Sequence, residues 1–141
     1  MLDTRLSSYL NGILDLACSL SKWIGYSSAG VSAYTKEGWE DAFRRHYHVR
    51  DFTPVPAEET FYQTLVQWLG STSFDLTKNV IGCITHRLGE PIAVYRAADE
   101  KALIDKLSSC NGGVGAYYFT EDVFFVAFET HVLAFIMGNF E

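Results

Sequence analysis

From Gly115 to Glu141 the chain alternates apolar runs with short polar breaks. Ala116–Thr120, Val123–Glu129 and Val132–Met137 are rich in Phe, Tyr, Val and Ile, and Glu121-Asp122 and Thr130-His131 separate them. Each run has strand length and each break hairpin length, so the pattern predicts a three-stranded antiparallel meander. On the middle run Phe124, Val126 and Phe128 point one way, and Val123, Phe125 and Ala127 the other. A strand apolar on both faces is either covered on both or offers one to a partner. None of the three runs carries the Lys or Pro that usually guards an exposed edge, so strand addition by a partner is one use to expect.

Upstream the period changes from two to about four. Leu2, Leu6, Leu10, Ile13, Leu14, Ala17, Leu20 and Ile24 mark a helix over 2–24 that Gly25 closes, with 25–30 a loop. A second helix is expected over Lys36–Tyr47, with Trp39, Phe43 and either His46 or Tyr47 inward. Thr53-Pro54-Val55-Pro56 is an extended connector, because proline removes the helical donor. Glu58–Leu69 reads as a third helix, with acids in its first turn and Gly70 beyond its end. Leu76, Val80, Ile84 and Leu88 recur every four residues, which favours helix over strand for Asp75–Leu88 despite Gly82. A short strand Ile92–Arg96 precedes a helix capped by Asp99 and running to Ser109. The expected class is α+β in a single domain, 1–141, a helical N-terminal half packed on a small, mostly antiparallel sheet that ends in the meander.

Composition narrows the function classes. At 141 residues with 48% hydrophobic content the chain is long enough for one sizeable core. Eleven basic against seventeen acidic side chains leave a net charge of −6, which disfavours nucleic acid as a direct ligand. The imbalance is steepest late: residues 92–141 hold three basic and seven acidic groups, and no Lys or Arg follows Lys106. An acidic surface there would steer a basic partner toward it. Cys18, Cys83 and Cys110 are odd in number and widely spaced, as expected for reduced thiols acting as small buried hydrophobes in the cytoplasm. No apolar run approaches the roughly 18 residues that a membrane span needs.

Candidate chemistry is sparse. His46 and His48 would share a metal on one strand, but a helix separates them by about 200°. Cys83 and His86 are neighbours on a helix, yet apolar Ile81 and Ile84 around them point to burial rather than an activated thiolate. The glycines of Asn111-Gly112-Gly113-Val114-Gly115 follow a helix instead of preceding one, the reverse of a phosphate cradle. Glu40/Asp41, Glu58/Glu59, Asp99/Glu100 and Glu121/Asp122 sit where acids are usually solvated, which suits docking charges better than acid–base catalysis. Trp23, Trp39 and Trp68 lie on inner helical faces and read as core. Neither a catalytic group, a metal nor a cofactor is called for.

The closing pattern Gly-Ala-Tyr-Tyr-Phe-Thr-Glu-Asp-Val-Phe-Phe-Val-Ala-Phe-Glu, running to Phe-Ile-Met-Gly-Asn-Phe-Glu141, resembles the end of small bacterial immunity proteins. These are the partners of polymorphic and contact-dependent growth-inhibition toxins, and the resemblance covers residues 92–141. It implies a cytoplasmic, non-catalytic protein that binds one cognate toxin domain tightly and blocks its active site. A toxin that handles nucleic acid is basic, so an acidic inhibitor would be steered onto it. The expected partner-binding residues are an acidic rim of Asp99, Glu100, Glu121, Asp122 and Glu129 with Tyr117 and Tyr118 as anchors. Two alternatives stand beside this: a self-associating or adaptor domain that pairs strand edges, with monomer and homodimer both open, and a small cysteine- or metal-dependent enzyme.

Overall fold

The computed structural model describes residues 1–20, 27–69, 74–110 and 118–140. Along them run α1 (Thr4–Leu20), β1 (Ser27–Thr35), α2 (Trp39–Tyr47), β2 (Pro54–Pro56), α3 (Phe61–Leu69) and α4 (Phe74–Leu88). β3 (Ala93–Ala97), α5 (Glu100–Cys110), β4 (Tyr118–Ala127) and β5 (His131–Phe140) follow. The strands form one sheet in the order β1-β5-β4-β3-β2, with every neighbouring pair antiparallel. The class is α+β, with α1 to α4 ahead of residue 90 and the long β4–β5 hairpin at the C-terminal end.

Local chemistry sets the helix boundaries. Asp3 caps α1, its Oδ1 accepting the Leu6 N–H at 3.0 Å, and Leu6, Leu10, Leu14 and Ala17 bury one stripe. α3 starts at Phe61, three residues later than the acids Glu58 and Glu59 suggest. Thr60 and Gln63 form a reciprocal capping box there, at 2.9 and 3.1 Å. The segment 74–88 is helical, stopped by Gly89 at φ 83°, whose N–H donates to the Thr85 carbonyl. The proposed end of the first helix at Gly25, the glycines 111–115 and Trp23 lie outside the described residues, as does the Trp68 side chain.

The sheet has helices on both faces. Phe124 and Val126 of β4, Phe128 just beyond its end, and Leu133, Phe135 and Met137 of β5 pack with α1, α3 and α4. Val123, Phe125 and Ala127, with Val132, Ala134 and Ile136, pack with α2 and α5. Phe124 and Phe135, partners in register, stack at 4.8 Å with planes 7° apart. Over Val123–Phe128 and Val132–Met137 the second apolar face of the C-terminal strands is therefore consumed inside the chain.

Three strand assignments differ from the pattern reading. The expected first and second runs of the meander are one strand, β4, broken only by a bulge between Thr120 and Asp122. Glu121-Asp122 imitates a turn in sequence, but Asp122 pairs with Met137 and its charge is absorbed by Arg96. The third neighbour of the hairpin is instead β1, an edge strand in a stretch partly read as loop. Its small residues, Ser27-Ser28-Ala29-Gly30, hide a two-residue alternation of Val31 and Ala33 against Ser32 and Tyr34.

Consequently β4 and β5 are interior, and the edges lie elsewhere. The Pro-Val-Pro connector is itself the edge strand β2. Ala57 N–H donates to Val94, and Ala98 N–H to Thr53, so the alternation turns Pro54 and Pro56 outward, where no donor is needed. The β1 edge is covered by the start of the chain. Ala33 donates to Ser7 Oγ and accepts from the Asp3 N–H, while the Thr35 N–H donates to the Met1 carbonyl. The edge inferred for the C-terminal runs is closed where β3 pairs with Phe125–Ala127 and at Thr120, whose N–H donates to Ser108 Oγ.

Candidate functional site

Two charged hollows of opposite sign flank α5. The first is organised by Arg96 on β3, a guanidinium with a side chain 17% exposed. Its Nε and Nη2 donate to Glu59 Oε1 and Oε2 at 3.1 and 2.8 Å, a two-pronged pairing. Nη1 donates to Glu100 Oε1 at 2.9 Å and also to Asp122 Oδ1. The carboxylates come from three elements: the turn before α3, the first turn of α5, and the bulge of β4. Arg96 also lies 5.8 Å from the centre of the Phe124 ring, which ties the cluster to the core. Its hydrogen bond holds the Glu59 carboxyl below the ordinary value against the opposing effect of burial. Although burial opposes it, the surrounding carboxylates push the Arg96 guanidinium further toward its charged form.

Lys101, Ile104 and Gln67 complete an open cleft of about 640 Å³ around this cluster. Three carboxylates face Arg96 and Lys101, which leaves an excess of one negative charge, and Glu59 and Glu100 keep 39% and 40% of their side-chain surface. A shallow, wet cleft of fixed carboxylates suits a cationic group from a large partner. It does not enclose a small substrate.

The expected partner-binding residues are thus split. Glu100 and Asp122 meet at Arg96, joined by Glu59, a member of one of the acid pairs suited to docking charges but not one of the expected partner-binding residues. Asp99 is exposed and caps α5, its Oδ1 accepting the Ala102 N–H at 3.3 Å. Glu129 is exposed in the β4–β5 turn, seven residues along from Asp122 and so about 23 Å away at strand rise. It does not belong to the same patch. Tyr118 and Glu121 are placed on β4 by their backbone, and their side chains, with all of Tyr117, lie outside the described residues.

The second hollow is basic. Arg44, Arg45 and His48 at the end of α2, Arg50 just beyond it, and Lys106 of α5 line a groove of about 990 Å³ with Asp41. Residues 44–50 form a recognisable basic run, but the chain-wide excess of acid masks it, and Lys106 joins only through folding. Arg44 is committed: it donates to the Phe52 carbonyl from Nε and Nη2 at 3.2 and 2.7 Å, and to Asp41 from Nη1 at 2.7 Å.

The remaining candidates separate. His46 Nδ1 lies 2.8 Å from the Tyr34 hydroxyl, while His48 sits in the left-handed region at φ 56°. Burial pushes the Tyr34 phenol up, and desolvation followed by the field of His48 pushes His46 down, so both groups favour their neutral forms and the tautomer of His46 sets which of them donates. Cys83 is exposed on α4, contrary to the burial inferred from Ile81 and Ile84; Ile84 is buried, but Cys83 faces away from it. The Cys18 and Cys110 side chains lie outside the described residues. Among the described residues no three His, Cys, Asp or Glu side chains converge as metal ligands, and no helix is long and apolar enough to cross a membrane.

Comparison with protein-family models, with curated proteins and with solved structures returns no match to this chain.

Proposed function

We propose that this chain is an immunity-type inhibitor, a non-catalytic protein that binds a basic toxin domain in the cytoplasm and occludes its active site. The observation that carries this reading is the Arg96 cleft, where Glu59, Glu100 and Asp122 converge on one guanidinium at an open surface. Arg96 fixes the carboxylates in advance, so a cationic side chain arriving from a partner meets an ordered set of acceptors. The net charge of −6 adds long-range attraction for a basic surface, a nuclease domain among those that fit. Among the described residues both faces of β4 and β5 are taken up by the core, so the reading rests on charge complementarity.

The test is capture followed by neutralisation. The tagged full chain, expressed in its own cells, is expected to retain a basic domain that arrests growth alone and is silenced by an equimolar amount of this protein. Replacing Glu59 and Glu100 together by Lys is expected to slow association roughly tenfold or more at low salt, with much less effect at high salt. A retained toxin that binds the doubly reversed variant at an unchanged rate would place the interface elsewhere. Turnover of a substrate by the purified chain would replace the inhibitor by an enzyme.

A further inference from the structure

We infer that the groove between the end of α2 and α5 is a binding site for a compact phosphate-bearing anion, such as a di- or triphosphate group. The sign of the groove is opposite to that of the chain. Arg44, Arg45, Arg50 and Lys106 stand against Asp41, an excess of three positive charges in a protein of net charge −6. Favourable end effects at the C-terminus of α2 account for Arg44 and Arg45, because cations there complement the helix dipole. They do not account for Arg50, which follows the helix, or for Lys106, which reaches the same groove from α5.

The groove is also held in shape before any ligand arrives. Val49 and Phe52 are buried on either side of exposed Arg50, and Arg44 clamps the Phe52 carbonyl. His48 occupies a left-handed conformation that glycine adopts far more readily, and it presents an imidazole to the groove wall. Among the described residues Arg45, Arg50 and Lys106 have no carboxylate partner within ion-pair distance. Repulsion among these cations is an unfavourable arrangement that a bound polyanion would relieve.

Phosphate is the chemistry that fits. Two of the three cations without a carboxylate partner among the described residues, Arg45 and Arg50, are arginines, whose planar fork pairs with two oxygens of one phosphate. An excess of three charges matches a di- or triphosphate better than a single carboxylate. An extended nucleic acid would meet the surrounding acidic field, including Asp51 on the adjoining wall. Among the described residues the groove lining includes one apolar side chain, Val49, and no Phe, Tyr or Trp, so its one ring is the small His48 imidazole. The phosphates, not a base, are recognised.

The test is calorimetric titration of the full chain with tripolyphosphate at low salt, with sodium sulfate at matched ionic strength as the control. Saturable 1:1 binding is expected for tripolyphosphate, with ATP and GTP equal to each other within a few fold. Arg50→Glu and Lys106→Glu are each expected to weaken binding about tenfold or more. Arg45→Gln, at an exposed position of α2, is expected to weaken it by a smaller factor. Arg5→Glu on exposed α1 makes the same change in net charge elsewhere and is expected to leave binding unaltered. The inference is overturned by no saturable binding at millimolar tripolyphosphate, by sulfate binding equally, or by Arg5→Glu acting as strongly as Arg50→Glu. It is equally overturned if a duplex DNA binds more tightly than tripolyphosphate. None of these outcomes bears on toxin neutralisation, which depends on the acidic cleft.

Discussion

Asn11 completes the edge of the sheet at Val31. Its Nδ2 donates to the Val31 carbonyl at 2.7 Å, and its Oδ1 accepts the Val31 N–H at 2.9 Å, so one amide takes the place of a neighbouring strand. Nδ2 also donates to Ser7 within α1, which fixes the amide, and Ser7 itself serves Ala33 one step along the edge. Residues four apart on a helix thus match residues two apart on a strand. A polar pair that would look solvent-facing in an amphipathic plot is used to close an edge.

Asn11→Ala is therefore expected to destabilise the fold by about 2–3 kcal/mol, since it strands a donor and an acceptor on a buried residue. Asn11→Asp keeps the acceptor but sets a carboxylate against the Val31 carbonyl. Its folded pKa should rise, so the variant should recover relative to wild type as pH falls through that value, when the protonated acid can donate. Denaturant titrations at pH 7 and pH 4 read both effects. Equal loss at the two pH values for Asn11→Asp would show that the amide donor is dispensable.

The pattern of apolar residues made the helices of α1, α4 and α5 legible, because Leu, Val and Ile recur there at four-residue spacing. It failed at β1, where the side chains are small and Ser32 is buried beside Tyr34, so polarity does not report exposure. It failed again at Thr120–Asp122, because a part-buried ion pair with Arg96 lets Asp122 sit inside a strand. Both hollows were partly visible as short charge runs. What sequence could not supply was the pairing across 26 residues of Arg96 with Asp122, across 37 with Glu59, or the meeting of Arg50 with Lys106.

Arg96 holds four segments together, and Arg96→Met is expected to cost roughly 2–4 kcal/mol, at the lower end because Glu59 and Glu100 remain partly hydrated. Arg96→Lys should recover little, as one ammonium cannot reproduce the two-pronged bond to Glu59. The sign of the pH dependence is a further check. Glu59 has a folded pKa below its ordinary 4.5, so its contribution is present above that value and is lost as pH falls through the folded pKa. Wild type and Arg96→Met stabilities should converge in acid. Curves that stay parallel from pH 7 to pH 3 would mean that Arg96 acts by packing alone.

His46 carries the opposite kind of dependence. Its folded pKa lies below the ordinary 6.5, chiefly through desolvation of the ring, so the unfolded chain takes up the proton first. Unfolding then binds protons in the window between the two values, and stability falls as pH drops through 6.5 before levelling off. His46→Gln can still hydrogen-bond with the Tyr34 hydroxyl but cannot titrate. The midpoint of urea unfolding should decline less between pH 7 and pH 5 in this variant than in wild type. Identical slopes would remove His46 from the acid response.

His48 tests whether strain has been kept for the sake of the groove. At φ 56° and ψ 40° it ends α2 in the conformation that glycine accepts without penalty. Both the His48 and Val49 N–H groups turn toward the Arg44 carbonyl, and this cap needs no side chain. His48→Gly should thus raise stability by about 1 kcal/mol, the cost of a left-handed side chain less the entropy that glycine adds to the unfolded state. The same variant should bind tripolyphosphate less tightly, because one donor is gone from the wall. Gain in thermal midpoint together with loss of affinity is the pattern of a residue selected for a ligand. A variant that is more stable and binds as well as wild type would show that His48 plays no part in anion recognition, and would leave Arg45, Arg50 and Lys106 to account for it.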